Sequence, residues 1–558
     1  MARQRKRMTV TENCMGCLAC EVACKQEHNL PVGPRWIRVF PDVRETGRRW
    51  RFNYLVTECV HAAPGPCQVA CPAEMNAWKY VNLALLGKFK EALEVIRETT
   101  PLAGVLGSVC TRPCESNCER GEVDAPVGIR SPKYFVADHE MCAGRKKATR
   151  IKQTNDSHLA IIGSGPAGLS CAYDLVRQGY PVTVFESRSQ PGGLLRYGIP
   201  EFRLRREILD NEISYVEELG VDIRTNTPVK NLKDIFNQGY KAIFLGTGCP
   251  TSLKLDIPKE DAKGVIYALD FLDRVNSGRS VSLGDRVAVV GGGAAAIDVA
   301  RVCLRLGAKE VHLVCLESRD LDCTDRMLAQ ACEIEDAETE GLVIHPSLGP
   351  KRILTKNGQV AGLETIVCTS VREADGTFAP KYAEGPAPTI EADTVVVAIG
   401  QEPEAAAFKE VDKDLAGIVR VDGFTLKTNI EGVFAGGDVV SGPSDIIGAV
   451  AAGKEAAISI ERYLRDVDLK EDRSIKFRLL NGAPLEAASV ERVVDIPDEE
   501  VAIAEAMRCF NCGTCGEALD LGFQTACASA CPAHCIYFRD VWETTPRTGT
   551  YTLAQESP

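Results

Sequence analysis

Residues 158–200 read HLAIIGSGPAGLSCAYDLVRQGYPVTVFESRSQPGGLLRYGIP, and this stretch decides the fold. An apolar run, Leu159–Ile162, enters a loop with glycines at Gly163, Gly165 and Gly168. A segment of helical period, Leu169–Gln178, follows, and a second β-rich run, Val182–Phe185, ends at Glu186. Strand, glycine loop, helix, strand and terminal acid make up the βαβ fingerprint of a dinucleotide-binding unit. Gly163 permits the tight turn, Gly165 lets a pyrophosphate approach the backbone, and Gly168 lets the helix pack on the strand. The positive end of the helix then faces the phosphates, and Glu186 is placed to accept ribose hydroxyls.

The same grammar recurs at 286–301, RVAVVGGGAAAIDVAR. The strand Val287–Val290 runs into Gly291 and Gly293, and Ala296 in the third position still permits close helix packing. Two such units imply two dinucleotides. The next strand, Val311–Cys315, runs out as Leu316, Glu317, Ser318 and Arg319. A carboxylate at Glu317 accepts ribose hydroxyls and repels a 2′-phosphate, so NADH is expected over NADPH. Arg319 keeps a phosphate partner within reach. A buried strand, Thr394–Ile399, leads to Gly400, and GVFAGGDVV brings Gly437 and Asp438 before a helix expected from Ser444.

The chain has 558 residues, enough for about three to five domains. Its 45% hydrophobic and 25% charged content is ordinary for a soluble globular protein. A net charge of −12 argues against general nucleic-acid binding, and the basic run Arg3–Arg7 reads as a solvated arm. No apolar segment is long enough to span a bilayer and no h-region follows the basic run, so a cytoplasmic protein is expected.

Cysteine sets the chemistry. There are 24, most of them gathered at 14–24, 59–118 and 509–535. Close spacing in a large intracellular chain favours metal over disulfides, and several runs end in Cys-Pro, which favours iron–sulfur clusters over zinc. Cys14, Cys17, Cys20 and Cys24 have the ferredoxin spacing in which three thiolates wrap one cubane and the fourth reaches another. In the tail, Cys512, Cys515, Cys527 and Cys531 form a second set, with Cys509 offering an alternative register and Cys535 a spare thiol. If the two ends are halves of one two-cluster module, Cys14, Cys17, Cys20 and Cys531 hold one cluster. Cys512, Cys515, Cys527 and Cys24 then hold the other. Two independent sites are the alternative.

Both cysteine-rich ends resemble the iron–sulfur subunits of molybdopterin oxidoreductases. Residues 59–465 resemble the glutamate synthase small chain and its relatives. That resemblance rests on Cys67-x3-Cys71-Pro72, Glu91-Ala92, Cys110-x3-Cys114-x3-Cys118, Asp124-x-Pro126-Val127, and both fingerprints. It implies a cluster on Cys71, Cys110 and Cys114 with a fourth ligand unassigned. A second, from Cys59, Cys67 and Cys118, lacks a thiolate because Ala62 stands where the family has cysteine; His61 replaces it or the cluster is absent. The resemblance also lays Gly193, Leu194 and Arg196 against a flavin, closes that half at Gly248, and puts Asp438 on the ribityl or phosphate end of FAD. About three to four 4Fe-4S clusters are expected in all.

The expected architecture is α/β, with two nested Rossmann-like dinucleotide-binding domains (a two-dinucleotide flavoprotein fold), a helical iron–sulfur domain and a ferredoxin-like module from the two termini. The boundaries read as a ferredoxin-like segment at 1–58 and the helical iron–sulfur domain at 59–150. FAD-binding segments follow at 151–262 and 402–465, enclosing an NAD(P)-binding domain at 263–401. A linker and the C-terminal ferredoxin-like segment occupy 466–558. No acid–base or nucleophilic constellation is visible, and residues 150–470 hold no CxxC or CxxxxC pair, which argues against disulfide reduction. Hydride transfer on a flavin needs placement more than acid–base groups. The expected function is electron passage between NAD(H) and a ferredoxin or a catalytic partner subunit in a hetero-oligomer. A glutamate synthase small chain proper and a non-catalytic electron-transfer scaffold are the alternatives.

Overall fold

The computed structural model describes residues 4–10, 38–46, 49–57, 66–122, 124–320, 323–373, 377–403, 408–470 and 536–542. The chain divides into two compact units, one of residues 1–95, 112–132 and 476–558, the other of 96–111 and 133–475.

The larger unit is built on two parallel sheets of five strands each. The first has the order Val433–Ala435, Ala242–Leu245, Leu159–Ile162, Val182–Phe185, Asp222–Arg224, all pairs parallel. Its central strand is buried on both faces. Leu159 and Ile161 pack into a core with Tyr173, Leu175, Ala456 and Ile460, and Ala160 and Ile162 into another with Ile235, Phe408 and Val433. That two-sided burial is why the strand reads as a continuous apolar run, without alternation.

The second sheet repeats the pattern in the order Val343–His345, Glu310–Val314, Arg286–Val290, Thr394–Val397, Val265–Tyr267. The chain leaves the first sheet after Ala242–Leu245 and returns through Gln401–Glu402, which pairs antiparallel with Thr251–Ser252. Only then does it add the edge strand Val433–Ala435, so the second nucleotide fold is inserted in the first. Within the insertion, Leu348–Lys356, Gln359–Arg372, Phe378–Ala383 and Thr389–Glu391 form a separate antiparallel sheet. Helix starts differ from the sequence reading in both directions: Pro166–Arg177 begins three residues before Leu169, and Ile446–Leu464 begins two residues after Ser444, because Asp445 is extended and serves as its N-cap. Among the described residues, no helix is long and apolar enough to cross a membrane.

In the smaller unit, Pro66–Val69, Ala77–Leu85 and Pro113–Ser116 are helical. Asn76 caps the second of these, its side-chain oxygen accepting the Lys79 N–H at 3.1 Å, a contact whose loss typically costs ~1 kcal/mol. Arg38–Thr46 and Arg49–Thr57 pair as an antiparallel hairpin. Gln4–Val10 pairs antiparallel with Ile536–Trp542.

Candidate functional site

Sterics explain the glycines of the first loop. Gly163 has φ +99°, and a Cβ there would lie 2.5 Å from the Gly246 carbonyl oxygen. A Cβ on Gly168 would lie 1.9 Å from the Gly163 oxygen, so only glycine lets helix and strand close. Gly165 is different: nothing stands within 4 Å of its missing Cβ. It is the N-cap of Pro166–Arg177, and no side chain caps that helix end. The open face and the uncapped N–H groups suit a phosphate.

Glu186 is buried, with Oε2 accepting the Ser164 N–H at 3.1 Å and its hydroxyl at 2.5 Å, and Oε1 accepting the Arg188 N–H at 2.8 Å. The Ser164 hydroxyl in turn accepts the Gly192 N–H at 3.0 Å, tying the 191–193 loop to the fingerprint. A Cβ on Gly193 would come within 3.0 Å of the Gly165 Cα, so the two glycine loops touch. Leu194 lines the adjoining cavity. Arg196 is buried and braces the loop, donating to the Pro191 carbonyl at 2.6 Å and pairing with Asp210.

Gly248 closes this half with φ +66° and open space where a side chain would be. Gly437, φ +74°, is the N-cap of the short helix carrying Asp438, and a Cβ on it would sit 2.9 Å from that of Ala167. Burial raises the Asp438 carboxyl above its usual range, opposed by the Ser444 hydroxyl, which donates to Oδ1 at 2.9 Å.

The second loop follows the same rules. Gly291 has φ +136°, and a Cβ there would stand 2.2 Å from the Ala398 carbonyl oxygen; the space beside Gly293 is open. Gly293 is the N-cap of Ala294–Arg305, which no side chain caps, and Ala296 is fully buried. Glu317 comes to this loop from the end of the neighbouring strand: a Cβ on Gly292 would be 2.4 Å from its Oε2. Burial raises the Glu317 carboxyl, with Arg372 acting against it. Arg319 is paired with Glu338 at 2.9 Å. Gly400, φ +131°, makes the turn into the return crossing.

A cavity of about 520 Å³ runs from the first glycine loop to the start of the helix that follows the second. Gly163, Gly165, Glu186, Gly248 and Asp438 line it from the first fold, and Ala294, Ala295 and Asp298 from the second. Three groups here were missed in the sequence. Arg203 reaches from the first fold to Asp298 at 2.7 Å and to Glu333; burial pushes Asp298 up to about 6 against the pull of Arg203. An Asp within the apolar helix AAAIDVAR was the available signal for one of them. Nothing in the run EFRLRRE singles out Arg203 from Arg205 and Arg206.

In the smaller unit, Cys67 lies on Pro66–Val69 and Cys114 on Pro113–Ser116, with Cys71 and Cys114 buried and Cys118 half-buried. These elements gather around Tyr80. Its phenol is fully buried and donates to the Ile129 carbonyl at 3.1 Å; burial first, then the charges of Cys114, Cys67 and Cys71, raise it well above its ordinary range. Buried sulfur donors on short helices are a soft ligand set, as iron–sulfur clusters require. Among the described residues, no three His, Cys, Asp or Glu side chains form the ligand set of a single ion; a cubane's four thiolates bind four different irons. In the larger unit Cys110 is buried as the C-cap of Ala103–Val109. Cys14, Cys17, Cys20, Cys24, Cys59, Cys509, Cys512, Cys515, Cys527, Cys531 and Cys535, with His61 and Ala62, lie outside the described residues.

Comparison with known proteins agrees with this geometry. Residues 157–453 match the model of the family described as pyridine nucleotide-disulphide oxidoreductase. The chain belongs to that family. Residues 54–145 match the dihydropyrimidine dehydrogenase domain II, 4Fe-4S cluster model. The β subunit of the NADP(+)-dependent formate dehydrogenase of Moorella thermoacetica is 37% identical over 80% of this chain and 70% of its own length. The PreT subunit of the NAD-dependent dihydropyrimidine dehydrogenase of Escherichia coli is 32% identical over 73% of this chain and 93% of its own. The small chain of the E. coli NADPH glutamate synthase is 32% identical over 79% and 97%. This member of the pyridine nucleotide-disulphide oxidoreductases is thus a FAD- and NAD(P)-dependent iron–sulfur flavoprotein of the glutamate synthase small-chain type. The two open glycine faces, at Gly165 and Gly293, fit FAD and a nicotinamide nucleotide.

Proposed function

We propose that this oxidoreductase passes electrons between NAD(H) and a ferredoxin or a catalytic partner subunit, as one member of a cytoplasmic hetero-oligomer. The observation that carries the reading is the pair of glycine loops, where Gly165 and Gly293 each leave open backbone beside an uncapped helix start, with Gly165 and the first residues of the second helix, Ala294 and Ala295, lining one cavity. FAD held there would supply hydride exchange with the nicotinamide and single-electron exchange with 4Fe-4S clusters. The chain's own part is placement. Gly163, Gly165, Gly168, Glu186, Gly193, Gly248, Gly437 and Asp438 hold FAD, and Gly291, Gly293, Ala296 and Glu317 hold the second nucleotide. NADH is favoured over NADPH because Glu317 stands at the second loop while Arg319 is engaged by Glu338.

Cysteines within 59–118 hold the inner clusters in this reading. The terminal cysteines form a two-cluster module, with Cys531 completing the Cys14 set and Cys24 completing the Cys512 set. The pairing of Gln4–Val10 with Ile536–Trp542 supports it: Val10, four residues before Cys14, is opposite Ile536, five residues after Cys531. A partner subunit is supported by the relatives named above, two of which are subunits and one a small chain. Anaerobic mixing with NADH or NADPH, with flavin and cluster absorbance followed separately, tests the reading. Flavin bleaching followed by cluster bleaching is expected, faster with NADH. No bleaching with either nucleotide would return the chain to a scaffold role.

A further inference from the structure

The helix Ala103–Val109 ends on Cys110, and both of its ends are fastened within the larger unit. At its start, the Glu212 carboxylate accepts the Gly104 N–H at 2.5 Å and the Val105 N–H at 3.1 Å. Glu212 is buried on Arg206–Leu219, the helix that packs against this one; a Cβ on Gly104 would lie 2.7 Å from Ile208. At its end, the Thr111 hydroxyl donates to Asp445 Oδ2 at 2.6 Å. Asp445 is the N-cap of Ile446–Leu464, its Oδ1 accepting the Gly448 N–H at 2.8 Å. A third tie comes from the second nucleotide fold, where the Gln330 amide donates to the Thr111 carbonyl at 3.4 Å. Val109 and Thr111, the two neighbours of Cys110, both line the cavity that holds the glycine loops.

We propose that Val109-Cys110-Thr111 is the exit by which electrons leave the flavin cavity for the cluster that Cys110 ligates, and that Thr111, through Asp445, is the residue that positions it. The inference rests on the reading of Cys110 as a cluster ligand given above. Oxidation of reduced flavin would release two electrons and one proton: the electrons would pass singly through the Cys110 cluster, the first moving on to a further cluster before the second arrives, and the proton would go to solvent. One peptide segment is then both cavity wall and ligand, so electrons cross without a mobile carrier. The hydroxyl bond matters because it fixes that wall to the N-cap of a helix belonging to the flavin half of the site. Electron transfer slows as donor and acceptor move apart, so a slackened segment should slow this transfer selectively.

The test compares Thr111→Val with Thr111→Ser in the complete, cluster-loaded protein, by anaerobic stopped-flow with NADH. Thr111→Val should slow cluster bleaching several-fold and leave the flavin phase nearly unchanged. Iron-to-flavin ratio and the electron paramagnetic resonance signal of the dithionite-reduced clusters should match the parent. Thr111→Ser, which restores the hydroxyl, should recover the cluster phase. Wild-type cluster reduction in Thr111→Val overturns the proposal, as does equal slowing of both phases or failure of serine to rescue. Cys110→Ala separates the premise from the inference: loss of one cluster signal is expected, and full retention of iron and signal refutes the ligand assignment itself.

Discussion

Replacing Glu317 tests the cofactor preference most directly. Its Oε2 stands 2.4 Å from where a Gly292 side chain would begin, at the loop proposed to receive the second nucleotide. A 2′-phosphate bound there carries about −1.5 to −2 charges at neutral pH. One unit of like charge at about 5 Å and an effective dielectric near 20 is repelled by roughly 3 kcal/mol. Partial solvent access at the half-buried Glu317 reduces the benefit of the extra phosphate charge, so ~3 kcal/mol, about 150-fold in affinity, is the working figure. Glu317→Gln keeps an acceptor for the ribose hydroxyls and removes the charge. NADPH should therefore bind ~100-fold tighter than to the parent, by roughly that loss of repulsion, while NADH changes by only a few-fold. Stopped-flow flavin bleaching against nucleotide concentration, repeated at rising pH because burial raises the Glu317 carboxyl, gives both constants. A parent protein that already favours NADPH, or a variant whose preference does not move, would refute the reasoning and return attention to Arg319 and its partner Glu338.

Gly168→Ala should abolish stable flavin binding, because its Cβ would meet the Gly163 oxygen at 1.9 Å; the flavin-to-protein ratio after purification reads it, and a normal ratio would contradict the packing argument. His312 Nδ1 and His345 Nε2 face each other at 3.0 Å on neighbouring strands, with Glu310 3.8 Å from His312. Burial and His312 lower the His345 pKa. The unfolded chain then binds more protons in the window below ~6.5, so stability is complete above that pH and is lost as pH falls through the folded value. His345→Asn should flatten the acid limb of a melting-temperature profile between about pH 5 and 7, and an unchanged limb would sink the idea. Truncation before Ile536 removes the strand paired with Gln4–Val10; iron content should drop by the terminal clusters while flavin content stays, and full iron content would separate the two ends.

Both nucleotide loops were legible in the sequence because their demands are local. A turn at positive φ, a helix packed on a strand, and an acid at the next strand's end lie within some thirty residues of one another. Gly163, Gly291 and Glu317 stand where those demands put them. What escaped was long-range or contrary to pattern. The antiparallel sheet inside 348–391 was not separated from the NAD(P)-binding domain expected at 263–401, since alternation does not name a strand's partner. Glu212 sits in REILDNEISYVEEL among residues that read as a solvated helix face, yet it is buried and its carboxyl is pushed up to about 7. Its reason for being there is two N–H groups more than a hundred positions earlier. Thr111 and Asp445, 334 positions apart, gave no signal at all.

The pairing of Gln4–Val10 with Ile536–Trp542 also has a meaning in time. Its innermost partners, Val10 and Ile536, are 526 residues apart in the chain. At synthesis rates of about 5–20 residues per second, the early strand waits roughly 25–105 s for its mate to be made. The insertion of one nucleotide fold in the other imposes a similar, shorter wait on the first sheet, whose edge strand Val433–Ala435 follows the whole second fold. Through that interval the thiols beside the early strand are without the cysteines proposed to complete their clusters. If the terminal module forms as proposed, iron delivery to it would be a late event in the life of the polypeptide, and a cell short of iron–sulfur donors would accumulate chains with a formed flavin fold and unfinished ends.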